Sequence, residues 1–395
     1  MANSLGMVYK KGKLAATLRR TSSGVLFEYD TEYAQSGLPQ IATTLSVSAE
    51  PITLVNGATP AFFAGLLPEG PRLTAIRDRI KTSLNDELSL LLDIGADLIG
   101  DVQILPEGVS PDLPGESLAL PVVGTQFSFQ EIREQYFGSR ASGIPGVQDK
   151  VLSKMSNAPV RLANIDYILK LNPKDVSFVV ENEHFFLGRA NACGIKTSGF
   201  EMMTDSLGDH ALRLRRFDRI AKGTSKIKLA AEDGCQVLNQ YPAEKYNLGF
   251  VEVAAKLISL CPAKQVAGLN LFRQLVFNWL IGNGDAHAKN FSVLEAETGE
   301  WFISPAYDLL CTRFYEDRTM ALGIGDKQTE WSRALLLETA EKLLVPERAA
   351  QKVIDQQLTV LSDLPQQIMS GVLPFARHEN YEVANFLKKR AARMV

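Results

Sequence analysis

Cysteine and histidine are scarce in this chain, four of each in 395 residues. Cys193, Cys235, Cys261 and Cys311 stand far apart and form no CxxC, which argues against a zinc ribbon or a dithiol redox site and fits a reducing compartment. His184, His210, His287 and His378 show no metal-ligand spacing. Neither charge dominates: 42 Lys and Arg face 45 Asp and Glu, a net of −3, so the surface as a whole is not built for nucleic acid. The basic end "LKKRAARMV" reads as a solvated helix end. The start, "MANSLGMVYKKGK", lacks the apolar core of a secretory signal. The longest apolar stretch, about Leu269 to Ile281, is broken by Asn270, Arg273 and Gln274 and is too short to span a bilayer. These absences point to a cytoplasmic protein with no membrane contact. With 46% hydrophobic and 22% charged residues, the chain has an ordinary globular composition and length for two or three packed units.

The chain changes character along its length. The first fifty residues alternate like strands, with a turn at Lys11-Gly12 in "GMVYKKGKLAATL" and a further strand in "GVLFEYD". "TPAFFAGLLPEG" reads as a helix capped by Thr59, with Pro60 in its first turn and Pro68 to Gly70 as its stop. Helices follow over Arg72 to Thr82 and Ser83 to Leu92, the latter with Leu88, Leu91 and Leu92 on one face. The Pro/Gly-rich "LPEGVSPDLPGESLALP" marks a boundary near 105 to 125. Short strands then mix with a helix from Glu181 to Cys193, and from about 229 onward the pattern is helical. Ala263 to Ile281 places Leu269, Phe272, Val276, Trp279 and Leu280 on one side. The expected layout is α+β: a module over 1–110, a β-rich lobe over 125–225 and an all-helical lobe over 226–395, with a cleft between the lobes.

At the end of the apolar helix stands "NWLIGNGDAHAKNFSVL", with Asp285, His287, Lys289 and Asn290 inside six residues. Phosphoryl transfer from ATP asks mainly for positioned charges. One carboxylate orients the attacking hydroxyl, an amide and a second carboxylate hold magnesium, and a lysine grips the α- and β-phosphates. Asp285 to Asn290 has the D-x-x-x-x-N spacing of kinase catalytic loops. Asp285 would be the catalytic carboxylate and Asn290 a metal ligand, while Lys289 or His287 would shield charge or brace the loop. The same residues would serve a polar loop ending a helix, which Gly282 and Gly284 suit. What favours the kinase reading is "WFISPAYDLL": a short strand leading to Asp308, eighteen residues past Asn290, where a second metal-binding aspartate belongs.

Lys170 lies between Ile168, Leu169 and Leu171, and a lysine in an apolar strand needs an anionic partner. Glu181 and Glu183 open the next helix, and Glu183 is the preferred partner; a solvent-facing edge lysine is the alternative. About twenty residues earlier, "SRASGIPGVQDKVL" places Gly146, Gln148 and Lys150 where a phosphate-covering loop belongs, although a β-turn explains it as simply. "LRLRRFDR" would lead into the hinge, with backbone near Arg215 to Phe217 meeting an adenine, or would carry Arg215, Arg216 and Arg219 in surface salt bridges.

Taken in order, "AFFAGLLPEG", "GVQDK", "ILKL", "RRFDR", "FNWLIGNGDAHAKNFSVL" and "SPAYDLL" resemble the HipA family of bacterial toxin kinases over nearly the whole chain. The resemblance implies a two-lobed protein-kinase-like fold carrying an added N-terminal module. It implies a serine/threonine kinase using ATP and Mg²⁺, and a protein substrate such as an aminoacyl-tRNA synthetase whose modification arrests growth. It implies a HipB-like DNA-binding antitoxin as partner, and operator DNA reached through that antitoxin to repress the operon. Position by position, it implies that Asp285 is the catalytic aspartate, Asn290 and Asp308 bind metal, and Lys170 binds phosphate. Phe217 and its neighbours match the hinge, and Gly146, Gln148 and Lys150 the phosphate loop. One departure stands out. The family's autophosphorylated serine sits three residues before the loop glycine, but that position here is Gly143 and Ser142 is one off. Either the loop is slipped and Ser142 takes the role, or the brake is missing. Two other readings compete: a small-molecule phosphotransferase of the aminoglycoside or choline kinase type, which would lack the "GLLPEG" module, and a non-catalytic binding protein.

Overall fold

The computed structural model describes residues 5–111, 118–119, 127–137, 155–162, 165–223 and 225–395, with the backbone alone for 118–119 and 135–137. Among them, no helix is long and apolar enough to cross a membrane.

The N-terminal module is a five-stranded sheet with helices packed on it. Strands β1 (Leu5–Lys10), β2 (Lys13–Thr21), β3 (Gly24–Tyr29), β4 (Ile52–Leu54) and β5 (Val102–Pro106) lie in the order β4-β3-β2-β1-β5. Lys11 and Gly12 both take positive φ, 49° and 78°, the geometry of a two-residue hairpin turn. Between the strands lie α1 (Thr31–Gln35), α2 (Ala61–Leu66), α3 (Gly70–Ile80) and α4 (Glu87–Ile94). The expected Thr59 cap is corrected: Pro60 precedes the helix, and the buried Thr59 instead gives its N–H and hydroxyl to Glu87, each at 2.7 Å. Val8, Leu18, Phe27, Phe63 and Leu88 form the module's own core.

The upper lobe is a second five-stranded sheet, β6 (Leu118–Ala119), β7 (Ser156–Leu162), β8 (Ile165–Leu171), β9 (Phe200–Thr204) and β10 (His210–Arg215), ordered β6-β7-β8-β10-β9. Helix α5 (Phe129–Phe137) covers one face, and α6 (Val179–Ala192) follows β8. Phe186 and Leu187 of α6 join the core of the lower lobe, so this helix packs the two lobes together. A two-stranded ribbon, β11 (Arg219–Lys222) and β12 (Ser225–Lys228), leads out.

The lower lobe is helical but not all-helical, correcting the sequence expectation. Strands β13 (Ala231–Asp233), β14 (Ser292–Glu295) and β15 (Trp301–Ile303) form a three-stranded sheet, because the short runs of β13 and β14 pair across about 60 residues of sequence. Helices α7 (Gly234–Val237), α8 (Phe250–Leu260), α9 (Lys264–Ile281), α10 (Arg333–Lys342), α11 (Glu347–Val360), α12 (Leu364–Met369) and α13 (Arg377–Ala392) complete the lobe. Helix α9 touches α8, α10, α11 and α13, so its second half is buried on every side rather than on one stripe. It ends at Gly282, whose φ of 76° puts a left-handed residue at the helix end and turns the chain into the loop that carries Asp285.

Candidate active site

Lys170 of β8 stands opposite Leu212 and Asn157 in the sheet, almost fully buried. Its ammonium donates to both Glu183 carboxylate oxygens, at 2.7 and 2.8 Å, and to Asp308. Burial alone would lower the lysine's pKa, but Asp308 and Glu183 outweigh it and hold the ammonium charged. Burial, with Asp308 nearby, pushes the Glu183 carboxyl up. Glu181 lies two residues earlier in α6 and turns instead to Asn172 and His210.

Asp308 follows β15 in a left-handed conformation, φ 56°, which aims its carboxylate back at the catalytic loop. Asn290 Nδ2 donates to Asp308 Oδ2 at 2.8 Å, and Asn290 Oδ1 accepts the His287 N–H at 2.9 Å. An amide oxygen has two lone pairs, so Asn290 can hold its own loop and still face a cation. Among the described residues no cluster of three or more His, Cys, Asp or Glu is arranged around a metal. The amide and carboxylate pair, Asn290 with Asp308, would suit magnesium, which takes one or two protein ligands and completes its shell with phosphates and water.

The loop is braced from several sides. Asn283 Nδ2 donates to Asn278 Oδ1 and to the Asp308 carbonyl, at 2.8 and 3.0 Å, and the Gly284 N–H donates to Thr312 Oγ1 at 2.7 Å. Lys289 braces the loop: its ammonium donates to Asp233 at 2.7 Å and to the Gly65 carbonyl of the N-terminal module at 3.0 Å. A Cβ on Gly234 would stand 2.6 Å from the Ala288 carbonyl, so α7 can lie this close to the loop only with glycine there. Asp285 is completely buried, and its Oδ1 accepts the Tyr246 hydroxyl at 3.0 Å.

A cavity of about 340 Å³, within the usual size of a ligand site, opens beside several of these groups. Lys170, His287, Lys289, Asn290, Asp308, Arg215 and Phe217 all line it. Phe217 stacks on Tyr307 at 5.8 Å, and the Tyr307 hydroxyl donates to the Lys289 carbonyl at 2.6 Å. Arg216 and Arg219 are not surface residues. They are buried and paired with Asp97 and Asp218, and Arg216 also donates to the Leu98 carbonyl at 2.7 Å, which docks the N-terminal module on the segment after β10. Gly146, Gln148, Lys150 and Ser142 lie outside the described residues. Tyr246, Asn283 and Tyr307 were not singled out from the sequence. "PAEKY" and "SPAYDLL" contain two of them, yet neither segment shows by spacing that its tyrosine reaches the loop.

Two family models match the chain: the HipA N-terminal domain over residues 7–105 and the HipA-like C-terminal domain over 142–364. The protein Y4mE of Sinorhizobium fredii is 30% identical over 312 residues, 73% of each chain. The serine/threonine-protein kinase toxin HipA of Shewanella oneidensis is 25% identical over 341 residues, 78% of this chain and 75% of that one. The Shewanella oneidensis HipA solved with HipB and its operator DNA shares the fold, with a TM-score of 0.74 and 20% identity, covering 98% of this chain and 96% of that one. With both modules matched and a 30% identical relative, the chain belongs to the HipA kinase family.

Proposed function

We propose that this protein is the toxin of a toxin–antitoxin pair, a serine/threonine kinase that transfers the γ-phosphate of ATP to a protein. The observation that carries the reading is the meeting of Lys170, Asn290 and Asp308 at one cavity, with the buried Glu183 bonded to Lys170 and Asp285 on the same loop as Asn290. Lys170, held by Glu183, takes the α- and β-phosphates. Asp285 accepts the proton of the attacking hydroxyl, and the Arg215 to Phe217 backbone meets the adenine beside Phe217. Magnesium held by Asn290 and Asp308 would neutralise charge on the phosphates. Gly146, Gln148 and Lys150 would cover them, with Ser142 as the site of self-phosphorylation.

The substrate class is a translation-related protein such as an aminoacyl-tRNA synthetase, and its modification arrests growth. A HipB-like antitoxin is the partner and reaches operator DNA. The support is the Shewanella oneidensis homologue, solved with HipB and operator DNA. The matched N-terminal module weighs against a small-molecule phosphotransferase.

The test incubates purified protein, γ-labelled ATP and a bacterial lysate with Mg²⁺ or with chelator. The reading expects one labelled lysate protein, only with Mg²⁺. ATP consumed with label on a small metabolite, and none on protein, would overturn it.

A further inference from the structure

The carboxylate assigned to proton transfer is closed off. Asp285 is 0% exposed, while Lys170, His287, Asn290 and Asp308 all open onto the cavity and Asp285 does not. A general base must come within hydrogen-bond reach of the acceptor hydroxyl. In this structure a hydroxyl already holds that place: Tyr246 donates to Asp285 Oδ1 at 3.0 Å, its ring edge-on to His287 at 5.2 Å.

We infer that Tyr246 is a plug, an internal stand-in for the acceptor hydroxyl that must leave Asp285 before phosphate can be transferred. The inference rests on the kinase reading above. Tyr246 ends a five-residue 3-10 turn, Pro242–Tyr246, whose Ala243 and Glu244 are exposed, so the segment lies at the surface. Lys245 in the same turn is paired with Glu69 of the "GLLPEG" segment and lies 5.2 Å over the Tyr246 ring. The N-terminal module thus latches the plug. Burial, and then the Asp285 charge, raise the phenol's pKa, with Glu69 and Asp317 adding to it. The phenol therefore stays a neutral donor and cannot itself surrender the proton near neutrality.

When the plug swings away, the acceptor O–H donates to Asp285 in its place. The acceptor oxygen bonds to the γ-phosphorus, the bond from that phosphorus to the β,γ-bridging oxygen breaks, and ADP leaves with that electron pair. The acceptor's proton passes to Asp285 and then to solvent. Without a protein acceptor, water reaches Asp285 only as often as the plug opens.

The experiment uses the full chain and measures Mg-ATP hydrolysis without acceptor, binding of a fluorescent ATP analogue, and thermal melting. Tyr246→Phe keeps the ring and removes the bond. It is expected to raise hydrolysis about ten- to a hundredfold, the range of one hydrogen bond to a charged group, with nucleotide affinity unchanged. Asp285→Asn added to Tyr246→Phe abolishes the rise. Tyr241→Phe, which loses only a bond to the Thr59 carbonyl, is expected to hydrolyse ATP like wild type. Unchanged or slower hydrolysis by a folded Tyr246→Phe protein, with wild type active, overturns the plug and leaves the kinase reading standing. If Tyr246→Phe does not fold, Glu69→Gln, which loosens the latch, is expected to give a smaller rise, and no rise there overturns the plug. Nucleotide binding without hydrolysis or label transfer by any of these proteins overturns the kinase reading itself.

Discussion

Asn290 and Asp308, eighteen residues apart in sequence, are joined by a 2.8 Å bond from the Asn290 amide to Asp308 Oδ2. That bond links the Asp285–Asn290 loop to the turn after β15, and Lys170 holds the other Asp308 oxygen. Asp308→Asn is predicted to cut phosphate transfer by at least about a hundredfold, as losing a preorganised charge does. The fold survives, because Lys170 keeps Glu183. Rates of label transfer and a melting curve check both halves.

Lys170 and Glu183 carry a stability prediction. Glu183 is completely buried, and removing its cation leaves that carboxylate uncompensated. Lys170→Met is predicted to cost roughly 3–5 kcal/mol in denaturant unfolding. Adding Glu183→Gln should return part of this, since the stranded charge is then gone. No recovery in the double variant would mean that the pair is not the source of the loss.

Lys289 separates bracing from charge shielding. Its ammonium is committed to Asp233 and the Gly65 carbonyl, and Asp233 keeps its lysine charged against burial. Lys289→Met is therefore predicted to lower stability by about 3 kcal/mol, the low end for breaking a buried pair. Asp233→Asn alone should cost a similar amount, and the double variant less than the sum of the two. Additive losses in this double-mutant cycle would argue against the brace.

Much of the site could be read from linear spacing, because its parts follow one another along short segments. The D-x-x-x-x-N loop, the aspartate after the strand and the lysine in an apolar run are each local patterns, whereas spacing offers both Glu181 and Glu183 as the lysine's partner and the structure pairs it with Glu183. What spacing did not reveal are contacts between distant segments. Tyr246 reaches Asp285 across 39 residues, Lys289 reaches Gly65 across 224, and the buried Arg216 and Arg219 take Asp97 and the Leu98 carbonyl of the other module as partners. An arginine-rich strand looks solvated until its partners are known. The same reason hid the small sheet of the lower lobe: β13 and β14 are three and four residues long, too short for periodicity to show.

Docking of the N-terminal module carries a pH signature. Glu232 of β13 is buried and accepts the Thr43 N–H and hydroxyl at 2.8 and 2.7 Å. Burial pushes its carboxyl from 4.5 up to about 7, against the lowering effect of those two bonds. A carboxyl raised in the folded state contributes stability that is complete below its unfolded value and lost as pH rises through its folded value. Wild type is therefore predicted to lose on the order of 3 kcal/mol relative to Glu232→Gln between about pH 4.5 and pH 8. Parallel pH profiles for the two proteins, from denaturant melts, would refute the assignment.

The central claim is that Asp285 acts on the acceptor hydroxyl while other groups hold the nucleotide. The measurement that tests it most directly compares Asp285→Asn with wild type for label transfer from Mg-ATP and for nucleotide affinity in the same preparations. The account predicts affinity within about twofold and transfer reduced at least about a hundredfold, the lower bound for removing a positioned general base. Transfer retained with intact affinity, or a variant that fails to fold, would contradict it and make Asp285 a structural cap of the loop.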